Sequence, residues 1–117
     1  MNDQLSDLQQ LAVDAATEKK AFDILILDLR NRSDLTDYFM ICSGNSKVHV
    51  QSITDAILDK CHKTRNKAFD IEGYSGGVWV VIDLGDLIVH VFHKDARLHY
   101  DLERLWGDVP VIKAVGE

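Results

Sequence analysis

Val78-Trp79-Val80-Val81-Ile82-Asp83-Leu84-Gly85-Asp86-Leu87-Ile88-Val89-His90-Val91-Phe92-His93 consists of two runs rich in β-branched and aromatic residues, split by Gly-Asp. Two such runs around a two-residue turn signal predict a β-hairpin. With Gly85 and Asp86 in the turn, Leu84 faces Leu87, Ile82 faces Val89 and Val80 faces Val91. Side chains alternate along a strand, so these six share one purely aliphatic face, which predicts a layer of helices above it. The opposite face pairs Asp83 with Ile88, Val81 with His90 and Trp79 with Phe92. It is aromatic, ionisable and mixed. Two readings of it stand together: an interaction surface, or a second layer of helix packing.

Working outward, Leu5, Leu8, Ala12, Ala15 and Ala16 recur at helical spacing, with Ser6 and Gln9 placed for a capping box. Asp23 to Leu29 is an aliphatic run with acidic interruptions and predicts a strand. A polar loop follows, and Tyr38 to Ser43 predicts a second strand. Gly44-Asn45-Ser46 ends that strand and opens a helix, with Asn45 or Ser46 as N-cap and Val50, Ile53, Ile57 and Cys61 on one face. Phe69-Asp70-Ile71-Glu72 alternates as a short third strand, and Gly73 to Gly77 reads as a flexible loop. The last helix is expected from Asp95 to Trp106, with Leu98, Leu102, Leu105 and Trp106 on one face and Gly107 ending it. The order α-β-β-α-β-β-β-α predicts a layered α/β domain with a mixed five-stranded sheet over residues 1–108. Residues 109–117 form a short tail after Pro110, to which no role is assigned.

The chain has 117 residues, with 13 Lys+Arg against 19 Asp+Glu and a formal net charge of -6. This length allows a real core without disulfide or metal staples. Hydrophobic residues at 46% and charged residues at 27% give an ordinary globular balance rather than a disordered one. The acidic balance argues against a surface built mainly for phosphate, because nucleic-acid affinity rests on Lys/Arg counterion release. It suits a basic protein partner. Cys42 and Cys61 read as buried hydrophobes in a reducing compartment. Neither a secretory signal nor a membrane span is seen, and the expected location is the cytoplasm.

The strand, Gly44-x-Ser46 turn and helix are shared with nucleotidyltransferases, where such a turn holds phosphate at a helix N-terminus. That chemistry also needs two or three convergent carboxylates for metal ions. Asp70-x-Glu72 is the best such pair, but no third carboxylate stands at clear spacing. His90 and His93 point to opposite faces of a strand and cannot share a metal. No Gly-x-Ser-x-Gly elbow is present. No catalytic, cofactor or metal residues are therefore assigned, and the chain is not expected to be an enzyme. Lys60, His62, Lys63, Arg65 and Lys67 cluster at the end of the second helix. They read as solvated cations at a helix C-terminus, or as a minor RNA contact.

Several stretches together strongly resemble the ribosomal silencing factor family (RsfS, also called Iojap-like). They are Asp37 to Ser46, His49-Val50-Gln51, Glu72-Gly73, Trp79 to Phe92, and Arg97-x-x-Tyr100-x-Leu102-Glu103-x-Leu105-Trp106-Gly107-Asp108. The resemblance runs from Leu5 to Asp108. It implies a nucleotidyltransferase-like fold without its catalytic set. It also implies a non-enzymatic factor that binds protein fourteen of the large ribosomal subunit, blocks an intersubunit bridge and subunit joining, and represses translation. Some members of that family are dimeric when free, so a homodimer is a further expected partner. The hairpin register combined with the motif positions proposes the contact surface. Trp79, His90 and Phe92 form its apolar centre, with Trp79 the favoured anchor. Glu72, Tyr74, Asp83, Arg97, Tyr100 and Glu103 form its polar surround. Tyr100 and Glu103 have a second reading, as ties between the last helix and the sheet. The alternative functions are a residual nucleotide-binding enzyme and a homodimeric scaffold using the aromatic face.

Overall fold

The structure is a computed structural model and describes residues 5–31, 34, 36–100, 104 and 110–115. Helix α1 (Asp7–Glu18) is followed by strands β1 (Phe22–Asp28) and β2 (Tyr38–Gly44), then helix α2 (Lys47–Lys63). Strands β3 (Asp70–Glu72), β4 (Trp79–Asp83) and β5 (Leu87–His93), helix α3 (Lys94–Tyr100) and strand β6 (Val111–Val115) complete the order. Both N-cap expectations hold. The Ser6 hydroxyl accepts from the Gln9 amide while the Gln9 side chain accepts from the Ser6 amide, and the Ser46 hydroxyl accepts from the His49 amide.

The strands form one mixed sheet in the order β3-β4-β5-β2-β1-β6. Among the described residues, only β2 and β5 are parallel, and the other four pairings are antiparallel. The hairpin register is as expected, with Trp79 opposite Phe92, Val81 opposite His90 and Asp83 opposite Ile88. Gly85 takes φ +90, and the Asp83 carboxylate accepts its amide at 2.9 Å, which closes the turn. The expectation of five strands is corrected to six. The tail segment Val111–Val115 pairs antiparallel with β1, where its apolar, β-branched stretch satisfies the backbone groups along the outer side of β1.

The aliphatic face is covered as its composition demands. Val80, Ile82, Leu84, Leu87, Val89 and Val91 pack with Ile24, Ile26, Met40 and Cys42 beneath Ala12, Ala15 and Ala16 of α1 and Val50, Ile53, Ile57 and Cys61 of α2. Each buried Val, Leu, Ile or Met among them contributes about 1.5–3 kcal/mol by leaving water. A second, smaller core lies on the other face: Leu27, Leu29, Phe39, Ile41, Ile88 and Phe92, with Ala96 of α3 against it. Arg97 ties α3 down by donating to the Ser43 hydroxyl at 2.9 Å and to the Asp23 carbonyl. Asp23 sits at φ 52, where the β1 register shifts between Phe22 and Leu25. The expected inward face of the last helix is corrected at Leu98, which is 82% exposed because Ala96 and Arg97 point to the sheet instead. Leu102, Leu105, Trp106 and Gly107 lie outside the described residues. Among the described residues, no helix is long and apolar enough to cross a membrane.

Candidate protein-binding site

Strand pairing lays out the second face row by row. One row runs Asp70, Asp83, Ile88, Phe39; the next runs Glu72, Val81, His90, Ile41; the third runs Trp79, Phe92, Ser43. Acidic side chains thus gather at the β3 edge, and apolar ones toward β2.

Trp79 is half-buried at the centre. Its indole stacks on Phe92 with ring centroids 5.0 Å apart, and Tyr100 lies against it at 4.7 Å. Its Nε1–H donates to His90 Nδ1 at 3.0 Å. Phe39 meets the His90 ring edge-on at 4.5 Å. Burial pushes the His90 pKa down to about 4, so the ring is neutral at physiological pH. Tyr100 remains 47% exposed.

The expected surface is therefore corrected at three positions. Phe92 is fully buried and His90 is 6% exposed, so they form the floor beneath Trp79 rather than the contact itself. Arg97, 8% exposed, is an internal tie. Helix α3 packs Ala96 on part of this face, as the helix-packing reading expects, and Trp79 and Phe39 lie against His90. Tyr74 lies apart from the cluster, because its hydroxyl donates to Asp55 of α2 at 3.0 Å while Gln51 donates to its carbonyl. The loop read as flexible is thereby tied to α2. Glu72 is exposed at the sheet edge, with its carboxyl pushed up by a hydrogen bond to neighbouring Asp70. Asp83 is half-buried and holds the hairpin turn. Glu103 lies outside the described residues. Two members of the cluster were not singled out from sequence. In sequence Asp70 reads as half of an Asp-x-Glu metal pair, and Phe39 joins through the parallel β2–β5 pairing, which leaves no local signal.

The nucleotidyltransferase features do not converge. The Asn45 amide donates to His49 Nδ1 at 2.8 Å, and the His49 and Val50 amides are taken by Ser46. His49 Nε2 sits 2.7 Å from the Lys19 carbonyl, and a side chain at Gly77 would strike Lys47 at 2.5 Å. The turn is thus closed by its own chain. Asp70 and Glu72 stand on the face away from α2, three strands from Gly44, about 14 Å at normal strand spacing.

Fold and face together define a layered α/β domain that presents an aromatic pair, Trp79 and Tyr100, with carboxylates further along the same face toward β3. Residues 2–117 match the family described as "Ribosomal silencing factor during starvation". The chain is 44% identical over 110 residues to ribosomal silencing factor RsfS of Halalkalibacterium halodurans, covering 94% of each. It is 46% identical over 102 residues to RsfS of Bacillus subtilis, covering 87% of this chain and 86% of that one. A crystal structure of a Bacillus halodurans protein superposes with a TM-score of 0.82 at 42% identity, over 92% of this chain and 97% of that one. This chain belongs to the ribosomal silencing factor family.

Proposed function

We propose that this chain is a non-enzymatic translation repressor of the cytoplasm. It binds ribosomal protein fourteen on the large subunit, covers an intersubunit bridge and prevents joining of the small subunit. The observation that carries this reading is Trp79, a half-exposed indole on an aromatic floor, with Glu72 one row away and Asp70 and Asp83 two rows away on the same face. Tryptophan on a well-packed floor has the character of a binding hot spot, and the carboxylates with the net charge of -6 suit a basic ribosomal protein. Action is steric and follows mass action, in proportion to concentration over Kd. Ribosomal RNA adds a minor contact through exposed Arg65 and Lys67; Lys60 and Lys63 of the same stretch are paired with Glu18 and Asp59. The test is sedimentation of purified subunits under joining conditions. Excess protein should lower the joined-ribosome peak, and unchanged joining at saturating protein would reject the proposal.

A further inference from the structure

His90 occupies a position that the sheet would fill more stably with an apolar side chain. Its cross-strand neighbours are Val81 and Ile41, Phe39 meets its edge, and only 6% of it is exposed. Indole Nε1 is a donor only. Its bond to Nδ1 therefore requires Nδ1 to be unprotonated, and the proton of the neutral ring is on Nε2. That Nε2 is buried and, among the described residues, has no hydrogen-bond partner. An orphaned buried donor destabilises the fold, and an apolar side chain of similar size would remove the defect. Among the described residues, the bond to Trp79 is the one hydrogen bond the ring makes in return. Phe92 stacks on a flat face of the indole and Tyr100 lies tilted against it. They do not determine which edge points inward; a hydrogen bond to Nε1 does.

We propose that His90 is a positioning residue: through its Nε2–H tautomer it holds the Trp79 indole in the orientation that meets the partner, although its own Nε2–H weakens the core. This rests on the reading of Trp79 as the partner anchor. Two variants separate orientation from packing. His90→Leu removes both the orphan donor and the acceptor. His90→Asn keeps an acceptor, because its Oδ1 is bonded to Cγ as Nδ1 is, and so can rescue.

The experiment combines nitrogen NMR of the imidazole, urea unfolding, solvent exchange of the Trp79 indole N–H, and binding to isolated large subunits. NMR should show Nδ1 bare and Nε2 protonated. His90→Leu should resist urea at neutral pH at least as well as wild type. Its indole N–H should exchange faster, and it should bind large subunits about 3- to 10-fold more weakly, the scale of re-ordering one large side chain. His90→Asn should bind within about twofold of wild type even where its stability is lower. The proposal is overturned by an Nδ1–H tautomer, by a His90→Leu variant less stable than wild type, or by wild-type affinity in His90→Leu. If wild-type protein fails to bind large subunits, the proposed function falls. The tautomer, urea and exchange results then still decide whether His90 holds Trp79.

Discussion

Acidification should destabilise this fold through a single imidazole. Burial sets the folded pKa of His90 at about 4, whereas the unfolded chain binds that proton near pH ~6.5. Between those values the unfolded state takes up a proton that the folded state refuses. The contribution is therefore fully present above about pH 6.5 and is lost as pH falls toward 4. Linkage between the two pKa values gives a loss of about 2 kcal/mol from pH 7 to pH 5, and about 3 kcal/mol once both states are protonated. The assay is urea unfolding of wild type and His90→Leu across that range. Carboxylate titrations are common to both proteins and cancel in the difference. The gap between them should move by about 2 kcal/mol in favour of His90→Leu on acidification. Parallel stability profiles would contradict a depressed His90 pKa, since a histidine that ionises normally in the fold adds no such pH dependence.

Gly73 takes φ +84, and a Cβ there would lie 2.1 Å from the Trp79 carbonyl oxygen. Gly73→Ala should therefore lower stability in urea by more than about 2 kcal/mol and alter the near-ultraviolet dichroism of Trp79; unchanged stability would deny the close approach. Arg97→Met should destabilise by about 2–3 kcal/mol, because the buried Ser43 hydroxyl and the Asp23 carbonyl lose their shared donor; a loss below about 1 kcal/mol would show that this tie does not anchor α3. Cys42 and Cys61 are fully enclosed, and burial pushes the Cys42 thiol up to about 12. A thiol reagent should label them only through unfolding, with rates that rise with urea, and free-thiol rates in native buffer would contradict this burial.

Local chemistry made the hairpin legible in the sequence: Gly85-Asp86 sets the register, and the register sorts each side chain to a face. The capping pair Ser6 and Gln9 and the N-cap Ser46 were legible for the same reason, since each acts within four residues of itself. What was not legible is non-local. Val111–Val115 joins the sheet through a partner at the other end of the chain, and a five-residue apolar tail carries no mark of which edge it will find. Alternation along the strand puts His90 and Phe92 on one face, as the register shows, but it cannot report what lies on top of them. Arg97 shows the difficulty most clearly. An arginine on a short helix reads as a surface contact, whereas here it turns inward to the Asp23 carbonyl and the Ser43 hydroxyl. Tyr74 was assigned to the same surface by motif position, yet Asp55 holds it on the side of α2.

The central claim is that the face around Trp79 is the surface that meets the ribosome. Its most direct test is co-sedimentation of the protein with isolated large subunits at physiological salt, comparing wild type, Trp79→Ala and Val48→Ala. Val48 is 72% exposed on α2, on the opposite side of the sheet, and so controls for the loss of an exposed apolar side chain. Wild type and Val48→Ala should pellet with the subunits alike. A folded Trp79→Ala should bind at least about fivefold more weakly, corresponding to more than about 1 kcal/mol. Equal binding by all three proteins would contradict the claim.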